Sequence, residues 1–223
     1  ETAIAALGYI PSSAARVMRS NRSNLVGLIT GAISRTGEYG GGHGLPDMFL
    51  IKGIQQKIRE AGKTLMIADT DNRYEQIDPL VRTFMEHRAE GILYVTESHR
   101  EIVLPEMPNR CPMVLVNCFD AAGTPSVLPD DERGQYDLVR NIIRHGHRRI
   151  AYITLQAGAE ATRLRLAGYR RALDESDMVF DPDLVQTGIT DFANDSEPLI
   201  AAVLKLLSLA DPPTVICCGN DEM

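Results

Sequence analysis

No apolar run in this sequence approaches the ~20 residues that a helix needs to cross a bilayer. No signal-peptide h-region opens it at Glu1, so a cytoplasmic location is expected. Cysteine is scarce, and Cys111, Cys118, Cys217 and Cys218 fit neither a zinc spacing nor a CxxC pair. Cys217 and Cys218 are adjacent inside an apolar run, where strand geometry points them to opposite faces. Reduced, buried thiols are therefore expected, in keeping with a reducing compartment. Catalytic signatures are missing as well, with no HExxH, GxSxG or SxxK. Gly62-Lys63-Thr64 resembles the end of a phosphate loop, but Lys57 stands where that pattern needs glycine, and a helix precedes it instead of a strand. The glycines between Gly40 and Gly44 do not form GxGxxG between a strand and a helix start. These absences point away from an enzyme and from any resident metal or cofactor.

What is present is an ordinary globular composition, with 44% hydrophobic and 24% charged residues in 223, enough for one large core or two modest ones. Short apolar runs rich in β-branched residues recur: LVGLIT (25–30), TLMIAD (64–69), GILYV (91–95), PMVLVN (112–117), RIAYIT (149–154) and TVICCG (214–219), with SVL (126–128) and LVQT (184–187) as shorter candidates. Nearly continuous hydrophobicity marks strands covered on both faces. Helical stripes separate them: Leu50, Ile54, Ile58 and Ala61; Ile77, Leu80, Val81 and Phe84; Tyr136, Val139 and Ile143; Leu199, Val203 and Leu207. Alternating strand and helix predicts an α/β fold with parallel sheets. Gly62 and Gly146 sit where helices hand over to strands and a C-terminal cap is wanted. Asp130, Asp131 and Glu132 open the Tyr136–Ile143 helix, where acids cap amides and oppose the dipole. His145 and His147 read as a solvated turn rather than a metal pair. The stretch ISRTGEYGGGHGLPDM (33–48) holds five glycines and no period, and is either a ligand loop at the end of the first strand or a surface insertion.

The formal net charge is -7, yet GYIPSSAARVMRSNRSN (8–24) carries Arg16, Arg19 and Arg22 and no acid. Pro11 is placed to start a helix at its first position. Such a helix has two or three turns, too short to be stable alone in water, so something outside it must hold it. It either covers the core or meets phosphates.

ALGYIPSSAARVMRSNRSNLVGLI resembles the junction between headpiece and core in the lactose-repressor-type (LacI/GalR) family of bacterial transcription regulators. EGILYV, DDERGQYDLVRNIIRHGHRRIAYI, ATRLRLAGYRRAL and PPTVICCGNDEM resemble successive blocks of that family's core, in order. The resemblance implies a two-lobed, periplasmic-binding-protein-like core of doubly wound parallel sheets, its second lobe incomplete, preceded by a short hinge helix. It divides the chain into the end of a helix-turn-helix headpiece (1–10), hinge helix and linker (11–24), an N-terminal lobe (25–155) and a partial C-terminal lobe (156–223). Paired hinge helices are implied to enter the DNA minor groove, with Arg16 and Arg19 near phosphates, Met18 as the wedge between base pairs where the family usually has leucine, and Ala15 small enough for close helix approach. In the core the family's ligand-gripping arginine falls on Arg165, whose guanidinium suits vicinal hydroxyls or a carboxylate. Asn220 matches an amide that donates and accepts toward a hydroxyl, Phe192 a stacking aromatic, and Asn117 a polar contact from the first lobe. The function implied is a homodimeric DNA-binding regulator, a repressor, controlled by a small polar effector such as a sugar or sugar derivative, with operator DNA as its partner. The alternative is an exported sugar-binding protein for transport.

Overall fold

The computed structural model describes residues 22–31, 47–71, 73–105, 111–188, 196–221 and 223. Ala15, Arg16, Met18 and Arg19 of the expected hinge lie outside the described residues, as does Phe192.

The chain alternates strand and helix as its hydrophobic pattern predicts. β1 (Leu25–Thr30), α1 (Asp47–Glu60), β2 (Thr64–Asp69), α2 (Ile77–Glu86), β3 (Ile92–Glu101), β4 (Met113–Phe119) and β5 (Ser126–Val127) come first. α3 (Asp131–Arg144), β6 (Ile150–Thr154), α4 (Glu160–Asp174), β7 (Val185–Thr187), α5 (Glu197–Leu207) and β8 (Val215–Cys218) follow. All the pairings are parallel, in one sheet of order β2-β1-β3-β4-β5 and a second of order β7-β6-β8.

Both sheets are covered on both faces, which is why their strands lack polar alternation. In the first, Ile29, Ile92, Tyr94 and Leu115 meet Val81 and Phe84 of α2, while Leu28 and Val95 meet Ile51 of α1 on the other side. In the second, Ile150 and Tyr152 pack with Val139, Tyr169 and Leu173 of α3 and α4, while Ala151 and Ile153 pack with Ala202 and Leu206 of α5. Successive residues of β6 thus serve opposite cores, as the period-2 geometry of a strand demands. α3 and α4 approach closely at Gly168, where a β-carbon would stand 2.1 Å from the Glu132 carbonyl oxygen. Gly62 (φ 67°) and Gly146 (φ 95°) end α1 and α3 in the left-handed conformation, donating to the Arg59 and Ile143 carbonyls.

β6 pairs with β7 and β8, and the inner face of α3 packs on that second sheet. One expectation is corrected: the third strand runs past Val95 to Glu101. Its register against β4 shifts between Val95 and Arg100, and pairing resumes with Arg100 opposite Cys118 and Glu101 opposite Phe119. That irregularity lets the polar run TESHRE remain in a strand after the apolar signal has ended.

Candidate functional site

In the second sheet β7 lies on one side of β6 and β8 on the other. Parallel α/β sheets bind ligands where the connections leave neighbouring strands in opposite directions. Arg165 stands in the second turn of α4 and donates to the carbonyl of Gly219, the residue before Asn220 in the loop after β8, so these two expected residues are brought near each other.

Arg165 is held by charge and by backbone. Its Nε and Nη2 each lie 2.7 Å from Asp131 Oδ1, and its Nη1 donates to the Gly219 carbonyl. The Arg165 side chain keeps 26% exposure, whereas Asp131 keeps 2%. The other Asp131 oxygen, Oδ2, accepts from His99 Nδ1 at 2.7 Å, and His99 is equally buried. Since a carboxylate offers only acceptors, the imidazole carries its proton on Nδ1 here. Against the other side of that ring stands Phe119, edge-on, with centroids 5.7 Å apart.

Two buried polar atoms have no hydrogen-bond partner among the described residues: Asn220 Oδ1, after β8, and Tyr152 Oη, on the face of β6 that packs with α3 and α4. Burial pushes the Tyr152 hydroxyl well above the usual phenol range, with the Arg165 charge opposing the shift. Behind it Gln135 Nε2 donates to Cys217 Sγ at 3.5 Å, and burial pushes the Cys217 thiol up to about 12. Unpartnered buried polar atoms cost free energy comparable to a lost hydrogen bond, so Asn220 Oδ1 and Tyr152 Oη make this side of the second sheet a candidate for a polar ligand. The chemistry on offer is a planar donor fork, an amide acceptor and a phenol, suited to hydroxyl or carboxylate groups.

Asn117 belongs to the first sheet and is engaged differently. It is 2% exposed, adopts φ 61°, and its Nδ2 donates to the Thr96 carbonyl at 3.0 Å while Thr96 Oγ1 donates back to its own carbonyl at 2.9 Å. The strand ends on that side open instead onto a cleft of about 270 Å³ lined by Gly31, Thr70, Tyr74, Tyr94 and Arg100.

Asp130, expected to cap α3, accepts from the Arg133 amide at 3.2 Å. Asp131, read from the sequence as another helix-opening acid, does open α3 and is also the centre of the buried network. His145 and His147 turn to separate partners, the Asn141 carbonyl at 2.8 Å and Thr214 Oγ1 at 3.0 Å. Sequence reasoning missed His99 altogether. No local pattern marked it, because its partner Asp131 lies 32 residues away in the chain.

Residues 48–223 match the family model described as periplasmic binding proteins and sugar binding domain of the LacI family. The chain is 25% identical to the HTH-type transcriptional repressor PurR of Aliivibrio salmonicida over 99% of its own length and 63% of that protein's. It is 29% identical to the ribose operon repressor of Escherichia coli K12, over 100% of this chain and 64% of that one. Among solved structures, a LacI-family transcriptional regulator from Rhizobium etli superposes with a TM-score of 0.77 at 34% identity, covering 90% of this chain and 70% of its own. The chain thus spans a little under two thirds of the length of the curated relatives it matches.

Proposed function

Because the chain belongs to the LacI family of periplasmic-binding-protein-like, sugar-binding domains, we propose that it is the effector-sensing part of a cytoplasmic DNA-binding transcription regulator, a repressor acting as a homodimer. The relatives are regulators, not enzymes, and they lend no support to the alternative of an exported carrier for transport. In this reading the unit of β1–β5 and the unit of α3–β8 are the two lobes. A small polar effector lies between them, Arg165 anchors it, Asn220 accepts from one of its hydroxyls, Phe192 stacks on it, and Asn117 contributes from the first lobe. Effector binding changes the angle between the lobes, and the hinge of residues 11–24, with Ala15, Arg16, Met18 and Arg19, is ordered or released on operator DNA accordingly.

The observation that carries this reading is Arg165, which is held by Asp131 and the Gly219 carbonyl and keeps donors to spare, on the same side of the second sheet as two buried polar atoms that lack partners among the described residues. A sugar, a sugar acid or another polyhydroxylated metabolite supplies both hydroxyl donors and acceptors to such a set. The test is a thermal-shift screen of the chain against sugars, sugar phosphates, sugar acids and nucleosides, beside Arg165→Lys. Lysine keeps the charge toward Asp131 and loses the fork. One compound class raises the melting midpoint of the parent, by the equivalent of about 2.7 kcal/mol at a hundredfold excess over Kd, and leaves the variant unmoved. No shift with any class, or an equal shift in both proteins, sinks the assignment.

A further inference from the structure

Arg165 stands on α4, but the chain of contacts that fixes it does not end in its own lobe. Asp131 opens α3, and one carboxylate oxygen takes the Nε and Nη2 of Arg165 while the other takes His99 Nδ1. His99 lies on β3, in the first sheet, and α4 packs against that strand. The side chains of His99 and Asp131 are 5% and 2% exposed, so their hydrogen bond is shielded from competing water. Asp131 thereby stands between two donors from two lobes, and without the His99 donor its carboxylate is free to rotate out of the plane that holds the Arg165 Nε–H.

We propose that His99 is a positioning residue: by holding Asp131 from the first lobe, it fixes the orientation of the Arg165 guanidinium in the second, so the geometry of the effector anchor reports the angle between the lobes. The step from Arg165 geometry to regulation rests on the effector reading above, whereas the positioning itself does not. When the lobes separate at this contact, Asp131 loses its second oxygen's partner and the guanidinium loses its fixed plane. An effector that needs that plane binds the closed arrangement better, which is the differential affinity any shift of population requires.

Two competing roles for His99 are separable by substitution. If the ring acts only as packing against Phe119, His99→Phe preserves it and His99→Gln does not. If it acts as a donor to Asp131, His99→Gln preserves the function through its amide N–H and His99→Phe abolishes it. The readout is the side-chain Nε–H signal of Arg165 in nitrogen-15 NMR spectra of the whole chain without ligand, identified by its loss in Arg165→Lys. In the parent this proton is hydrogen-bonded to Asp131 and exchanges slowly with water. His99→Phe speeds that exchange at least tenfold, and His99→Gln stays within about threefold of the parent, estimates that follow from losing or keeping one charge-assisted hydrogen bond. Equal exchange in the parent and His99→Phe, or a Gln variant that behaves like Phe, overturns the proposal. A measurement on the parent alone stands independently of whether the variants fold: long-range proton–nitrogen spectra of the imidazole show the His99 proton on Nδ1. An unprotonated Nδ1 overturns it. Because no effector is added, a screen that finds no ligand leaves this result intact, and failure here leaves the Arg165 screen to stand on its own.

Discussion

The two parallel sheets finish their strands in opposite ways. At the end of the first, Thr70 Oγ1 donates to the Thr30 carbonyl, Thr96 Oγ1 to the Asn117 carbonyl, and Asn117 Nδ2 to the Thr96 carbonyl. Polar side chains there close on neighbouring backbone. At the end of the second, Arg165 and Asp131 form a charged pair reaching into the other lobe, while Asn220 Oδ1 and Tyr152 Oη remain without partners among the described residues. Asn117 in β4 and Asn220 after β8 both lie toward the C-terminal ends of strands, where this architecture binds ligands. The difference teaches that position in the fold nominates a site, and unsatisfied chemistry selects between nominees.

The largest effect that tests this contrast is Arg165→Met. It strips a guanidinium from a carboxylate that is 2% exposed, and removing one partner of a buried pair costs about 3 kcal/mol. Urea denaturation followed by circular dichroism measures it. Arg100→Met, at the exposed rim of the first-sheet cleft, leaves the midpoint where it was. A loss under about 1 kcal/mol at Arg165, the size of a surface pair, breaks the comparison, as does an equal loss at Arg100.

How far the contrast could be read beforehand depends on the range of the interactions involved. Strands were legible because each residue of a doubly covered strand needs apolar neighbours whatever its partners are, as Ile150 to Ile153 show. The caps at Asp130, Gly62 and Gly146 were legible because they act within one turn. The sheet that each helix covers was not, since the Tyr136–Val139–Ile143 stripe has the same period whichever sheet it packs on. Arg165 and Asn220 came from family resemblance, and no local pattern marks them. His99 and Asp131 were out of reach because a buried charge is tolerated only through partners chosen by the fold, here 32 and 34 residues distant in the chain.

A matched pair of asparagines sharpens the contrast at smaller amplitude. Asn117 holds Thr96 and adopts φ 61°, a conformation that asparagine tolerates better than alanine. Asn117→Ala therefore loses a buried hydrogen bond and adds backbone strain, together about 1–2 kcal/mol. Asn220→Ala removes an oxygen that has no partner among the described residues, so it leaves the denaturation midpoint level or higher while abolishing the ligand-dependent thermal shift. If Asn220→Ala lowers the denaturation midpoint and keeps the thermal shift, the second sheet is scaffold at this position and not site.

The smallest expected effect isolates burial from chemistry. Arg133 and Asp137 form an arginine–aspartate pair at 2.8 Å on α3, with side chains 63% and 54% exposed. It has the same groups and nearly the same separation as the Arg165–Asp131 pair, whose carboxylate opens the same helix. Water screens the exposed pair, and holding two long side chains in one geometry offsets what attraction remains. Asp137→Ala accordingly leaves the urea midpoint within error of the parent, at 0.05 M and at 0.5 M salt alike. Arg165→Met keeps most of its loss at the higher salt, because mobile ions do not enter the space around Asp131. A deficit at Asp137 that matches the one at Arg165 would mean that ion-pair chemistry, and not burial between two lobes, sets the energetics of this site.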